Sequence, residues 1–188
     1  MRQASGGGAG FQATLVPPLS EFRVLRVLNL EGCQGFSENS LKEISNLFQS
    51  KYLSLRRTWI SNLPPQIGDL QTLETLEIRD TNIEELPGTI TGLDQLRYIL
   101  SGGYAWGKVK VQDGIGSMTS LSAISGLDIC RSSATAVQEL GNLKSLMELA
   151  INWIDFTSGN VKHQEAMITT LGKLARVTFN PLQSAVET

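Results

Sequence analysis

The feature of this sequence that most constrains its fold is a leucine framework that returns at a nearly constant interval. Its clearest unit runs from Leu63 to Thr81 and reads L-P-x-x-I-G-x-L-x-x-L-x-x-L-x-I-x-x-T. The next unit repeats its apolar positions as Leu86, Ile90, Leu93, Leu96 and Ile99. A single unit of this kind cannot bury its own apolar side. Neighbouring units therefore have to stack and share one continuous core.

Six units follow the framework, and their spacing indicates the fold. Subtracting consecutive strand centres gives 25, 23, 23, 25 and 25 residues for Leu28, Leu53, Leu76, Ile99, Ile124 and Leu149. A leucine framework with a period between about 20 and 29 residues is the signature of leucine-rich repeats. The sequence thus predicts an α/β fold, a curved leucine-rich-repeat solenoid of about six or seven repeats. We expect a parallel β-sheet on its concave side and loops and short helices on its convex side.

The limits of the framework predict the domain boundaries. Residues 1–16 are rich in glycine and poor in apolar side chains, which is typical of a flexible lead-in. The leucine-rich-repeat domain is expected over residues 17–182, with a degenerate register after about residue 155 that contains a seventh, irregular unit. Residues 183–188 form a polar tail.

Three local features add detail to this outline. Cys33 stands where repeats of this type place a turn residue, so we expect it to be small and buried. Apolar spacing from Ser37 to Phe48 predicts a short helix on the outer side. The segment from Leu100 to Lys110 interrupts the framework with glycines, aromatic residues and lysines. Trp106 within it either packs against the outer wall or binds a partner.

Composition favours a soluble globular protein and excludes several partners. The chain is 41% hydrophobic and 18% charged, and its formal net charge of -2 supplies no basic excess for nucleic acid. No apolar run approaches the ~18 residues of a membrane-spanning helix. The first ten residues lack the apolar core of a signal peptide, and two cysteines make no disulfide framework. We therefore expect a cytoplasmic protein with no membrane or nucleic-acid partner.

The sequence gives no support for catalysis. His163 is the only histidine, and the motifs C-x-x-C, H-x-x-x-H and G-x-S-x-G are missing. No G-x-x-x-x-G-K-[ST] phosphate loop is present either. We expect a protein that is not an enzyme and that needs no metal or cofactor.

Binding through the concave sheet is the better hypothesis. Side chains alternate along a strand, so residues between the framework leucines form three columns on this face. The first column is Val27, Tyr52, Thr75, Tyr98, Ala123 and Glu148; the second is Asn29, Ser54, Glu77, Leu100, Ser125 and Ala150; the third is Glu31, Arg56, Arg79, Gly102, Leu127 and Asn152. Tyrosine, tryptophan and arginine supply most interface hot spots. The predicted protein-binding residues are Tyr52, Arg56, Trp59, Glu77, Arg79, Tyr98, Trp106 and Trp153.

The chain resembles a known family in three segments and one longer region. These are residues 22–33, 52–58, 63–81 and 114–149, and their most specific element is the L-P-x-x-I-G-x-L-x-x-L-x-T-L step. They are similar to the leucine-rich-repeat portion of plant intracellular disease resistance receptors of the nucleotide-binding type, as found in grasses. The resemblance implies a role in pathogen sensing without catalysis. It implies a protein partner, either a pathogen effector, a guarded host protein or a nucleotide-binding domain of the same receptor type.

The missing phosphate loop departs from that family, whose members place a nucleotide-binding domain before the repeats. Two alternatives therefore stay open. The chain can be a leucine-rich-repeat substrate adaptor of a ubiquitin-ligase complex, or a truncated receptor product without an independent function.

Overall fold

In the computed structural model of the protein, the described residues include eight short strands that form one parallel sheet. The strands are β1 (Val27–Asn29), β2 (Tyr52–Ser54), β3 (Thr75–Glu77), β4 (Tyr98–Leu100), β5 (Val109–Lys110), β6 (Ala123–Asp128), β7 (Glu148–Asn152) and β8 (Thr178–Phe179). The structure describes residues 22, 24–33, 38–103, 109–129, 131–152, 161–174 and 178–179. The order β1-β2-β3-β4-β6-β7-β8 follows the chain, with β5 alone beside β6. Each connection therefore returns the chain to the same end of the sheet, as a solenoid requires.

The register of the sheet confirms the predicted repeat. The six predicted strand centres pair in sequence, from Leu28 with Leu53 through to Ile124 with Leu149. Leu53, Leu76, Ile99 and Leu149 have no exposed surface. The irregular seventh unit is also present, because Phe179 of β8 pairs with Leu149. The leucine framework thus determined both the number of repeats and their alignment.

The convex side consists mainly of short 3₁₀ turns, as the sequence predicts. They are Glu43–Asn46, Pro65–Asp69, Gly88–Gly92, Ile115–Ser117 and Leu140–Asn142. The described residues also form three α-helices, which are α1 (Glu38–Lys42), α2 (Ala134–Glu139) and α3 (Val161–Lys173). The 13-residue α3 is longer than expected for this side. The connection from Leu149 to Phe179 spans 30 residues by subtraction, and the extra length leaves room for it.

Close packing between successive turns explains the glycine of the I-G step. A Cβ added at Gly68 would lie 2.7 Å from the Thr89 Cβ. Thr89 belongs to the next convex turn, and its hydroxyl donates a 2.6 Å hydrogen bond to the Pro65 carbonyl. Successive turns therefore approach so closely that this position tolerates no side chain.

The segment that interrupts the framework adds a strand and shifts the register. β5 pairs with the second half of β6, aligning Val109 with Leu127. Between Ile124 and Leu127 the pairing of β6 with β7 slips, and Leu127 faces Ile151. The prediction that Leu127 continues the third exposed column is therefore wrong, because the slip turns its side chain into the core.

A row of hydroxyl groups closes the turns after the strands. Thr58 Oγ1 donates to the Leu55 carbonyl at 2.6 Å, and Thr81 Oγ1 donates to the Ile78 carbonyl at 2.8 Å. Cys33 occupies the same position in the first repeat, and its N–H donates to the Leu30 carbonyl. Its predicted burial is wrong, since the thiol is free and exposed. Among the described strands β1 pairs only with β2, so its turn is covered from one side alone.

Candidate protein-binding face

The first concave column forms a stripe of apolar and aromatic side chains. Strand pairing places Val27 beside Tyr52, then Thr75, then Tyr98. Val27 is 59% exposed, and the next three side chains are partly exposed. Ala123, the following member, is buried, against the prediction that the whole column is exposed. With strands ~4.8 Å apart, the four residues from Val27 to Tyr98 can contact one partner together.

Half of the second column is buried, whereas Asn29 is exposed and Leu100 and Ser125 are partly exposed. Ser54, Glu77 and Ala150 are buried, so the predicted exposure of these positions is wrong. Serine and alanine are too short to reach past the taller side chains on either side.

Glu77 is buried because its carboxylate folds against Arg79. Arg79 Nε donates to Glu77 Oε1 at 2.6 Å, and Arg79 Nη2 donates to Glu77 Oε2 at 2.6 Å. The two residues share one face of an extended segment, since they are two positions apart. The hydrogen bonds that Arg79 donates to Glu77 raise the pKa of Arg79, and the negative charges of Glu77 and Asp80 add to the effect. This two-point pairing fixes the guanidinium plane.

A second group of ion pairs joins the first three repeats. Arg56 Nη1 lies 3.6 Å from Glu31, and Arg56 Nε lies 3.4 Å from Asp80. Arg57 makes the same two connections, at 3.7 Å to Glu31 and 3.9 Å to Asp80. Together with Glu77 and Arg79 these side chains form what we term the arginine cluster, which contains Glu31, Arg56, Arg57, Glu77, Arg79 and Asp80. The cluster spans three strands at their carboxyl ends.

A left-handed turn positions the members of this cluster. Arg57 and Asp80 have φ values of 55° and 58°, and Gly32 and Gly103 occupy the same repeat position with φ values of 72° and 105°. Asp80 tolerates this conformation better than most residues, whereas a long side chain such as that of Arg57 adopts it at a small cost. The turn directs the side chains of consecutive residues 56 and 57 toward the same two carboxylates.

The opposite edge of the sheet carries further charges. Lys51 Nζ pairs with Glu74 on the next strand, and the hydrogen bond lowers the pKa of Glu74. The Arg97 guanidinium lies 5.7 Å from the centre of the Tyr98 ring, a cation–π contact. An open groove of about 410 Å³ continues from Arg97 along this edge to Met147.

The structure brings five of the eight predicted site residues together. Tyr52, Arg56, Glu77, Arg79 and Tyr98 lie on β2, β3 and β4 or directly after them. Trp59 is 77% exposed and follows the turn after β2. Trp106 and Trp153 lie outside the described residues. Sequence reasoning missed Arg57, Asp80 and Arg97, although the recurrence of Gly or Asp before the turn residue signals the left-handed position.

A family model described as a leucine-rich repeat region matches residues 9–183. The chain belongs to the leucine-rich-repeat region family. The chain is 30% identical to rice (Oryza sativa subsp. japonica) disease resistance protein Pik-2, over 88% of this chain and 18% of that protein. Rice disease resistance protein RGA5 is 32% identical over 86% of this leucine-rich-repeat chain and 14% of its own length. Rice disease resistance protein RGA4 is 38% identical, and the match covers 60% of this chain and 10% of that protein.

These relatives confirm the resemblance to plant disease resistance proteins. The chain spans less than a fifth of the length of Pik-2 or RGA5. Two solved structures agree on the fold. A leucine-rich-repeat protein of Leptospira interrogans superposes with a TM-score of 0.65 at 24% identity, covering 86% of this chain and 38% of that one. An internalin of Listeria monocytogenes superposes with a TM-score of 0.51 at 16% identity, covering 87% of this chain and 56% of that one.

In the described part of the chain, none of the helices is long and apolar enough to span a membrane. Within the same residues, histidine, cysteine, aspartate and glutamate form no group that can hold a metal ion. The concave face of the first four repeats is the candidate site, because the first column and the arginine cluster both lie there.

Proposed function

We propose that this chain is the protein-recognition module of a plant disease resistance receptor, that it acts in the cytoplasm and that it performs no catalysis. The observation that carries the proposal is the concave face of repeats one to four, where the stripe of Val27, Tyr52 and Tyr98 runs beside the arginine cluster. Similarity to rice disease resistance proteins supports the receptor context. The domain limits of 17–182 stay a prediction, as does the identity of the partner.

The physical argument for recognition rests on rigidity and residue type. Arg56 and Arg79 are held by carboxylates of the same face, so little side-chain freedom is lost when a partner binds. Tyr52 and Tyr98 stand on strands rather than on loops, and tyrosines are frequent hot spots. Such a face suits a protein surface better than a small molecule, because it is broad and shallow.

Site-specific crosslinking can locate the binding face. A photoreactive benzoylphenylalanine at Thr75 stands in the middle of the first column. We expect it to crosslink the 188-residue chain to a protein in leaf extract. The matched position is Ile168, an exposed side chain on α3. Crosslinking from Ile168 with no product from Thr75 would place recognition elsewhere.

Arg56→Ala separates binding from folding. Its ion pairs are partly exposed and long, so we expect the free energy of unfolding to fall by less than ~1 kcal/mol. Capture of the Thr75-crosslinked protein should decrease in the same variant. Chemical denaturation and quantitative mass spectrometry measure the two effects, and Arg131→Ala is the control because its ion pair with Glu84 is exposed and distant from this face. Unaltered capture by Arg56→Ala removes that residue from the site.

A further inference from the structure

In the arginine cluster the positive and the negative side chains lie at different depths. The three arginine side chains keep 30%, 51% and 41% of their surface exposed at Arg56, Arg57 and Arg79. Two of the three carboxylates lie beneath them, with Asp80 at 9% and Glu77 at 4% exposure. The cluster is formally neutral, yet it presents guanidinium groups to solvent. The third carboxylate, Glu31, is 35% exposed, so three partly exposed guanidinium groups outnumber one partly exposed carboxylate and the outer face is positive.

Donor capacity on this outer face remains available to a ligand. Arg79 uses Nε and one N–H of Nη2 for Glu77, and a guanidinium has five N–H donors in all. The remaining donors of Arg79 point away from the buried carboxylate. A carboxylate of a partner can accept two of them side by side, which is the geometry that arginine favours.

The charge along the concave face changes sign between repeats. From two residues before each strand centre to four after it, the first four repeats hold six basic and four acidic residues, a sum of +2. These residues are Arg26, Glu31, Lys51, Arg56, Arg57, Glu74, Glu77, Arg79, Asp80 and Arg97. The corresponding positions 122–128 and 147–153 carry only Asp128 and Glu148, a sum of -2. Since the whole chain has a net charge of -2, everything outside the first four repeats of this face sums to -4.

From this arrangement we infer that repeats one to four bind an acidic segment of a partner protein, with its carboxylates on Arg56, Arg57 and Arg79. An apolar side chain of the segment lies against Val27 and Tyr52. Repulsion by Glu148 and Asp128 keeps the acidic segment on the first four strands and fixes its direction along the face. The inference rests on the proposed function, because it names the chemistry of the partner at that same face.

A random peptide library displayed on phage tests the inference with the full chain as target. Peptides selected on the chain should be enriched in Asp and Glu relative to the library. A selected peptide should bind about tenfold less tightly when its acids are replaced by Asn and Gln, or when the chain carries Arg56→Gln and Arg57→Gln, as fluorescence anisotropy would show. The control chain is Lys144→Gln with Lys173→Gln, which also removes two exposed charges but from outside this face. It should bind the selected peptide unchanged.

Each other result has a defined meaning. Neutral or basic peptides that lose affinity on Tyr52→Ala would overturn the acidic partner and leave the proposed function standing. Peptides whose affinity depends on neither the arginines nor Tyr52 would count against both proposals. Recovery of no peptide above background would also overturn the inference, because an exposed cationic face of this kind selects acids from a random pool.

Discussion

At the scale of single residues, the close approaches between repeats depend on a few glycines. Gly126 stands at the slip between β6 and β7 with a φ of 71°. A Cβ there would lie 2.3 Å from the carbonyl carbon and oxygen of Ser101, so close that the backbone would have to shift. Both the conformation and the space therefore call for glycine.

Gly126→Ala should lower the free energy of unfolding by ~1–3 kcal/mol or more, because the clash is with backbone that has little freedom to move. Gly92→Ala is the matched control, since its added Cβ meets nothing within 4 Å. We expect Gly92→Ala to be neutral or slightly stabilising. Urea denaturation of both variants gives the comparison. Equal stability of the two would mean that the slip at β6 is absent in solution.

The sequence could predict the buried leucine and isoleucine positions, but not the positions whose burial depends on a specific contact or on a slip in register. The apolar framework identified the inward positions, because burial of leucine and isoleucine dominates the energetics of a stacked repeat. It could not show that Glu77 is buried, since that burial depends on a pairing with Arg79 that alternation alone does not reveal. It also could not place Leu127, because a one-residue slip exchanges the two faces of a strand.

At the scale of elements, β3 carries the most strongly paired charge of the concave face. Glu77 is almost completely enclosed, whereas Arg79 keeps 41% of its side-chain surface exposed. The pair is therefore partly screened by solvent, and its contribution is smaller than that of a fully buried pair. The cost arises mainly when the arginine side chain is removed, since the buried carboxylate then loses its two guanidinium donors and keeps the backbone N–H of residue 79 at 3.3 Å.

A double-mutant cycle on this pair tests that asymmetry. Arg79→Ala should lower the free energy of unfolding by ~1–3 kcal/mol, because it leaves the Glu77 carboxylate buried without its two side-chain partners. Adding Glu77→Gln should recover part of that loss, since a neutral amide is cheaper to bury than an ion. Thermal denaturation of the two single variants and the double variant measures the coupling. Additive effects would show that the fork seen here contributes no stability.

The inserted strand β5 shows how the interrupting segment is held. Lys110 Nζ lies 3.8 Å from Glu85, and Arg131 donates a 2.8 Å hydrogen bond to Glu84. The adjacent acids therefore contact basic residues from two later parts of the chain, and the hydrogen bond raises the pKa of Arg131. The sequence showed the acids and the interruption separately. It did not show that these acids meet Lys110 and Arg131, because the contacts join residues 25 and 47 positions apart by subtraction.

At the scale of the whole molecule, the sheet order makes stability a property of neighbours. In the described part of the chain each framework strand pairs with its neighbours in the stack, and β6 also pairs with β5. The concave face divides in the same way, with positive charge on the first four repeats and negative charge on the next two. A destabilising substitution in one repeat should therefore affect the neighbouring repeats most. Binding to the first four repeats should likewise protect those repeats most from unfolding.

The variant Leu76→Ala tests whether loss of stability is greatest in the repeats next to the substitution. Leu76 has no exposed surface and lies between Leu53 and Ile99, so the cavity should cost ~2–5 kcal/mol in the free energy of unfolding. Hydrogen exchange followed by mass spectrometry should show the largest loss of protection in β2, β3 and β4, and a smaller loss in β7. Val27→Ala, at an exposed position, should change neither stability nor exchange. Equal loss in β7 and β3 would instead mean that the solenoid unfolds as one cooperative unit, and binding to the first four repeats would then stabilise every strand alike.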